Sequence, residues 1–431
     1  MSYYSIEDLY KIYLQHPQVQ TDTRKLKTDD LYFALKGPHF NGNLFAVAAL
    51  EAGASFAIVD EPIPNSSSFE NKIIQVDNVL STLQALAKHH RQQFQIPFIA
   101  ITGSNGKTTT KELVSAVLSS HFITYTTQGN LNNHIGVPLT ILSIQSDAQM
   151  AVIEMGANHL YEIKSYCEYT LPNYGLINNC GKAHLEGFGS LEGVRKGKGE
   201  LYDFIKAHHG ILFLNADYDY LVQMSEGANT IISYGHEKGD LTGLAVSQIG
   251  MLRVNLTKGC NIDFVQTQLV GDYNLPNVLA AICIGLYFKV PEAKIKAAIE
   301  NYTPNNSRSQ LVKWNDNDVI LDAYNANPSS MKVAIDNFAN IPSTQKIICL
   351  GGMKELGADS MQEHQDLIDY LQKFEWKQVI LVGGDFKGCS HPFLYFDQTE
   401  EAQKWLLEQQ FQQHHILIKG SRGIQMEKII S

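Results

Sequence analysis

The spacing of apolar and polar positions changes repeatedly along the chain, and each change marks a switch between helix and strand. In "MSYYSIEDLYKIYLQ" apolar residues return three and four apart, which predicts an amphipathic helix with Ser5 as its cap and acids in its first turn. "LYFALKG" and "SFAIVD" are short apolar runs that read as strands, and the helical "NLFAVAALEAGA" lies between them. A helical stretch rich in His and Gln, "LQALAKHHRQQFQ", then leads to Pro97, where a first boundary is expected. The first ninety or so residues thus form a small α/β unit.

From residue 98 the runs "FIAIT", "MAVIEMG", "YGLINNC", "GILFLNAD" and "TIISYG" alternate with amphipathic helices. Short, nearly continuous apolar strands between helices predict a mostly parallel sheet covered on both faces. "MLRVNLTKGCNIDFVQTQLVG" reads as an appended hairpin, followed by helices near 274–288 and 291–300. The loop "YTPNNSRSQ" is the second expected boundary. Beyond it "VILDAY", "KIICLGG", "QVILVGG" and "HILIKGS", each followed by a helical segment, repeat the doubly wound pattern. The expected division is 1–94, 95–306 and 307–431, in keeping with a length of 431 residues and about 150 residues per domain.

Composition narrows the function classes. With 44% hydrophobic and 18% charged residues the chain is ordinary and globular. A net charge of -10 argues against a general binder of nucleic acid or anionic membranes, which needs a basic surface. Cys167, Cys180, Cys260, Cys283, Cys349 and Cys389 lie far apart, which predicts reduced thiols rather than a zinc site or a disulfide framework. The start lacks a signal-peptide pattern, and no segment approaches the ~18 consecutive apolar residues of a membrane span. A cytoplasmic protein without membrane insertion is expected.

"FIAITGSNGKTTTKE" carries the first chemistry. A strict phosphate-binding loop has Gly, four residues, then Gly-Lys-Thr or Gly-Lys-Ser, and here Ile101 stands at the first Gly position. The placement still suits phosphate, because a strand precedes the motif and a helix begins at its Gly-Lys. Backbone N–H groups at that helix start would face phosphate oxygens, helped by the helix dipole. The expected nucleotide cradle is Gly103, Ser104, Asn105, Gly106, Lys107, Thr108 and Thr109, with Lys107 meeting the outer phosphates and the Thr108 hydroxyl binding Mg2+. Glu154 ends the run "MAVIEMG", where an open α/β sheet presents ligand-binding groups, and a carboxylate there suits Mg2+. The Gly-rich "NNCGKAHLEGFGSLEGVRKGKGELY" holds His184, Glu186, Arg195, Lys196 and Lys198, and by itself reads equally as a mobile, solvated loop.

The strings "TGSNGKTTT", "IEMGANH", "NNCGKAHLEGFGSLEGVRKGKGEL", "GDYNLPNVLAA", "DAYNANPSSM" and "LIKGSRGIQMEK" occur in the order seen in the Mur ligases, ATP-dependent amide-forming enzymes of peptidoglycan precursor synthesis. "HLEGFGSLEG", "YNANP", "TDTRKLKTDDLYFALKG" and "GNLNNHIGVPLT" resemble the type that adds D-alanyl-D-alanine to a UDP-N-acetylmuramoyl-tripeptide. The resemblance spans nearly the whole chain. It implies an N-terminal domain binding the UDP precursor, a central P-loop ATPase domain with a mostly parallel sheet and a C-terminal Rossmann-like ligase domain. Two departures stand out: Leu321 occupies a position commonly acidic in that type, and Gly352 stands where Asp is frequent.

The implied reaction forms an acyl phosphate from the tripeptide carboxylate and the ATP γ-phosphate, after which the dipeptide amine displaces phosphate. Two like unit charges about 4 Å apart repel by ~4 kcal/mol at an effective dielectric near 20, roughly a thousandfold in rate. Cations must therefore gather at the site. By resemblance His184 binds a second Mg2+ and Lys198 is carried as a carbamate, the neutral amine plus CO2 giving an anion that a metal accepts, although Lys196 competes on sequence alone. Lys107, Glu154, His184 and Lys198 are the implied catalytic set. For the adenine and ribose of ATP the resemblance points to Asn274, Asn277, Asp322 and Tyr324, with Arg308 reaching the phosphates. Asn274 could otherwise simply cap a helix, and Tyr324 could simply be core. Asn132, Asn133, Asn325, Asn327 and the turn from Lys419 to Arg422 are assigned to the two substrates, and Asp22, Thr23, Arg24 and Lys36 to the uridine diphosphate pocket. The chain is expected to act as a monomer and to close on its ligands. Rival readings are a ligase adding one amino acid, a folylpolyglutamate synthase, or a P-loop NTPase or kinase that forms no amide.

Overall fold

The computed structural model describes residues 4–64, 67–248, 251–304 and 308–431. The expected boundary between 306 and 307 lies outside them. The chain divides into two compact units, one of Met1–Ala100, Phe122–Gly156 and Glu162–Tyr174, the other of Ile101–His121, Ala157–Tyr161 and Gly175–Ser431.

The first unit opens with helix Ile6–Gln15, where Ser5 Oγ accepts the Asp8 N–H at 3.1 Å as the sequence predicts. Val19–Gln20, Leu31–Phe33, Phe56–Val59 and Ile73–Gln75 form a four-stranded sheet in that order, every neighbour parallel. Tyr32, Ala34, Ala57 and Val59 face Ala46, Ala49 and Leu50 of the helical segment between the strands, making the small core expected from the alternation. Helix Val79–Arg91 starts on an Asn78 cap. It ends on a buried Arg91 whose guanidinium donates to the carbonyls of Thr170, Phe94 and Leu171. Burial brings that guanidinium down to about 10, and Phe98 lies under it at 3.7 Å. Strands Thr124–Thr126 and Met150–Glu154 pair in parallel in the same unit.

Strand Phe98–Thr102, buried along its whole length, carries the chain from the first unit into the second. In the second unit Ile211–Asn215, Thr230–Gly235 and Leu241–Gln248 run parallel, and Met251–Lys258 and Phe264–Val270 continue antiparallel. The expected hairpin is therefore two arms of a three-stranded meander. Its first strand, "LTGLAVSQ", escapes the sequence reading because Gly243, Ala245 and three polar residues dilute the apolar alternation. Helices Leu275–Tyr287 and Glu292–Asn301 fall where predicted. The first is buried continuously from Asn277 to Gly285, as a helix apolar on every face must be.

The C-terminal part of this unit is a six-stranded sheet in the order Gln310–Trp314, Asn317–Asp322, His415–Lys419, Lys346–Gly351, Gln378–Val382, Leu394–Phe396, parallel except for the first pair. Alternate strand residues face opposite sides. Ile320, Ile348, Leu350, Leu381 and Leu417 pack against Met331, Ile335, Phe338, Leu367 and Ile368 of two helices. Val319, Leu321, Ile347, Ile380, Ile416 and Ile418 pack on the other face against Ala402, Leu406, Met426 and Ile429. This is the doubly wound pattern read from sequence, with one correction. The last strand is followed by two 3-10 turns, Arg422–Ile424 and Met426–Ile430, where a helix was expected, because Gly420 and Gly423 interrupt the segment. The two departures also find physical reasons. Leu321 belongs to an apolar core layer. A Cβ on Gly352 would lie 2.6 Å from the Gly384 Cα, so no side chain fits unless that backbone moves.

Candidate active site

The loop after strand Phe98–Thr102 is shaped by its two glycines. Gly103 has φ +147°, and a Cβ there would sit 2.9 Å from the Asn178 Cβ; Gly106 has φ +80°, and a Cβ would sit 2.6 Å from Asn277 Oδ1. Between them the loop is fastened to the segment after strand Tyr174–Ile177. Ser104 N–H donates to the Asn179 carbonyl at 2.9 Å, and Asn105 N–H to Asn179 Oδ1 at 3.0 Å. Ser104 Oγ takes the Gly181 N–H and donates to the Gly181 carbonyl, both at 3.0 Å. Helix Lys107–Ser119 begins at Gly106 with no side-chain cap bond, and a helix start of this kind suits an anion. Lys107 folds back, Nζ donating to the carbonyls of Gly103 at 2.7 Å and Ser104 at 3.2 Å. Thr108 is buried beside it.

A chain of amides lies beneath the loop. Asn274 Nδ2 donates to the Val270 carbonyl, Asn277 Nδ2 to Asn274 Oδ1, and Asn277 Oδ1 accepts from Thr110 Oγ1 and Asn178 Nδ2, all within 3.0 Å. Asn274 makes no capping bond to the helix that follows it, so the simple cap reading fails. Both asparagines are buried, and the network ties helix Leu275–Tyr287 to the loop they support. Asn178, Asn179 and Thr110 were not singled out from sequence. The available signal was a pair of asparagines directly after a strand, facing a Gly-rich loop.

The Gly-rich stretch is not a loop: it forms helices Leu185–Phe188 and Leu191–Ala207. On the second, Lys196 is exposed and Lys198 is wholly buried, its Nζ donating to the Ala157 carbonyl at 2.8 Å. Glu186 and Arg195 take no position in the loop's hydrogen bonding; Arg195 lies over the Tyr220 ring at 4.9 Å. His184 stands just before the shorter helix with φ +53° and no capping bond to it, and its Nδ1 is hydrogen-bonded to Glu355 Oε2 at 2.5 Å. The hydrogen bond from His184 holds the Glu355 carboxyl below the usual carboxylate range against the effect of burial, and the charges of His184, Lys107 and Lys354 act in the same direction.

The sheet-end residues of the C-terminal part gather separately. Asp322 Oδ2 accepts from the buried Lys419 Nζ at 2.5 Å, and its Oδ1 from the Ser309 N–H. The Tyr324 ring is half-buried, with the Arg308 guanidinium 3.6 Å and the Arg422 guanidinium 5.6 Å from its centre, so it is not core. Asn327 closes a capping box on helix Pro328–Ala339 and donates Nδ2 to Asn105 Oδ1 at 2.8 Å. Asn325 is exposed.

In the first unit, Glu154 is buried at the end of its strand and accepts Asn132 Nδ2 at 2.7 Å. Asn133 Oδ1 accepts the N–H groups of Ile135 and Gly136. Asp22 caps the 3-10 turn Thr23–Lys25 and holds the exposed Arg24 by two bonds of 2.8 Å, an arrangement that brings its carboxyl down to about 2. Lys36 lies between Asp60 at 3.1 Å and Glu61 at 3.2 Å. Among the described residues no three His, Cys, Asp or Glu side chains gather to hold a metal ion, and no helix is long and apolar enough to cross a membrane. Oxygen donors such as the buried Thr108 hydroxyl at the start of its helix are the kind that would suit a hard cation such as Mg2+.

Three family models match: Mur ligase family, catalytic domain, over residues 17–91; Mur ligase middle domain over 101–285; and Mur ligase, glutamate ligase domain, over 307–422. The chain is similar to the UDP-N-acetylmuramoyl-tripeptide--D-alanyl-D-alanine ligase of Bacillus subtilis, 32% identical over 99% of this chain and 96% of that one. The Escherichia coli ligase of the same name is 34% identical over 96% and 92%. Among solved structures, MurF from Acinetobacter baumannii superposes with a TM-score of 0.86 at 31% identity, covering 96% of this chain and 92% of that one. MurF from Thermotoga maritima in complex with ADP also has a TM-score of 0.86, at 24% identity over 96% of both chains.

Proposed function

The chain belongs to the Mur ligase family, and from that premise we propose that it joins D-alanyl-D-alanine to a UDP-N-acetylmuramoyl-tripeptide with hydrolysis of ATP to ADP and phosphate, in peptidoglycan precursor synthesis. The observation that carries the reading is the phosphate loop, a two-glycine turn fastened to Asn178–Gly181 with Lys107 at the helix start, set in a chain similar end to end to ligases of that name. The tripeptide carboxylate attacks the γ-phosphorus, the bond to the ADP oxygen breaks, and an acyl phosphate forms. The dipeptide amine then attacks the acyl carbon, phosphate leaves, and the amine gives up a proton.

The residues divide this work by chemistry. Lys107, now folded onto its own loop carbonyls, swings to the outer phosphates and offsets the repulsion between carboxylate and ATP. The helix start from Gly106 to Thr109 takes the remaining phosphate oxygens, while Asn179 holds the Ser104 and Asn105 amides and so sets the shape of the loop. Mg2+, when bound, draws charge from those oxygens; Thr108, Glu154, His184 and Lys198 as its carbamate are the assigned ligands. Asn274, Asn277, Asp322, Tyr324 and Arg308 serve the nucleotide, Asn132, Asn133, Asn325 and Asn327 the peptide ends, and Asp22, Thr23, Arg24 and Lys36 the uridine diphosphate. The domains are those read from sequence, 1–94, 95–306 and 307–431, and the protein acts as a cytoplasmic monomer.

The test measures phosphate release with the tripeptide nucleotide, with and without D-alanyl-D-alanine, and with single amino acids in its place. Release that needs both substrates, and falls by about a thousandfold or more in Lys107→Ala, is expected. Release with neither substrate points to a plain NTPase, and turnover with one amino acid to a different ligase. Unchanged turnover in Lys107→Ala removes the loop from the reaction. For Lys198, an intact-mass increment of one CO2 that disappears on acid treatment is expected.

A further inference from the structure

The contact between His184 and Glu355 is not used by the scheme above, and three features set it apart from an ordinary surface pair. Both residues have left-handed backbones, φ +53° and +62°, a conformation uncommon for side chains of either kind. The backbone beside His184 is also joined to Glu355, the Glu186 N–H donating to the Glu355 carbonyl at 3.3 Å. The pair belongs to a seam within the second unit. There Lys182 N–H donates to Ser329 Oγ at 3.0 Å, Lys182 Nζ to Glu363 at 2.6 Å, and Asn327 Nδ2 to Asn105 of the phosphate loop at 2.8 Å.

A carboxylate on one imidazole nitrogen fixes the ring. With Nδ1–H donating to Glu355, the lone pair of His184 is confined to Nε2, and the ring plane is set by a residue in the loop after the interior strand Lys346–Gly351. We propose that Glu355 is a positioning residue that orients His184 toward a divalent cation, so that this metal position is complete only while the segment Met353–Gly357 is docked on Lys182–Gly189. The proposal rests on the reading of His184 as a metal ligand.

The test counts Mn2+ bound to the full-length protein with saturating ADP, by electron paramagnetic resonance of the free ion, in wild type and in Glu355→Ala, Glu355→Gln, Glu355→Asp and His184→Ala. Loss of such a partner typically weakens a metal by about 10- to 100-fold. Glu355→Ala is expected to weaken one Mn2+ position at least tenfold and leave the other unchanged. Glu355→Gln, whose amide oxygen accepts the same N–H, should stay within about threefold of wild type, and Glu355→Asp, one methylene short, should follow Glu355→Ala. If Glu355→Ala does not fold, the Gln and Asp variants carry the same contrast. Wild-type Mn2+ affinity in both the Ala and Asp variants overturns the proposal, and so does a Gln variant as weak as Asp. Should His184→Ala keep every wild-type position, the metal role of His184 falls, which is a different result from failure of Glu355 alone.

Discussion

At the scale of single residues, the loop shows why a glycine and a lysine in the right order were readable in advance. Gly106 needs a positive φ and has an amide oxygen 2.6 Å from where a Cβ would stand, so only glycine meets both demands. Gly106→Ala should therefore push Asn277 out of its bonds to Thr110 and Asn178 and weaken ADP at least tenfold, about 1.4 kcal/mol by calorimetric titration. Gly129→Ala is the control: its φ is +54° but nothing lies within 4 Å, so backbone strain alone is added and ADP affinity should hold. Equal effects in the two variants would mean that crowding against Asn277 is irrelevant. Lys198 and Lys196 compete on sequence alone, and their helix phase leaves one buried and the other exposed. Glu355 was illegible, because its partner lies 171 residues away and nothing local marks a carboxylate that faces a histidine.

At the scale of elements, apolar spacing carried most of the architecture. Strands of the six-stranded sheet alternate between two core layers, and that period of two is written in "KIICLG" and "HILIK". What was lost were Leu241–Gln248, whose apolar alternation is diluted by polar residues, and Leu394–Phe396, whose three residues are too few to show a period. Polar fasteners between elements were also hidden. Asp60, at the end of strand Phe56–Val59, accepts Asn43 Nδ2 at 2.8 Å, the Val79 N–H at 3.2 Å and Lys36 at 3.1 Å, joining three segments of the first unit. Burial pushes its carboxyl up, but the bonds from Asn43, Val79 and Lys36 outweigh this and leave it below the ordinary range. A depressed folded value means that the unfolded chain binds more protons, so this stabilisation is present above the unfolded value of about 3.9 and is lost as pH falls through the folded one. Asp60→Asn should lower the melting temperature at pH 7, with the gap to wild type narrowing toward pH 3. A gap independent of pH would show that packing, not the carboxylate's charge, holds the segments together.

At the scale of the molecule, the chemistry requires that an acyl phosphate reach an amine before it reaches water. The family likeness made the reaction legible, but not the seam within the second unit, whose members Asn105, Lys182, Asn327, Ser329 and Glu363 come from stretches far apart in the sequence. Lys182 is half-exposed and Glu363 largely buried, so their ion pair is worth no more than about 1 kcal/mol. If the seam keeps water from the intermediate, loosening it by that amount should raise wasted phosphate per amide up to about fivefold. Lys182→Ala and Glu363→Ala should each do so, and the double variant should be no worse than either, since both remove one interaction. Raising salt should bring wild type toward the variants, because the exposed half of the pair is screened. The measurement is phosphate and ligated product counted in the same reaction. A ratio that stays at one in every variant and at every salt concentration means that the seam does not guard the intermediate, and that exclusion of water is achieved elsewhere in the chain.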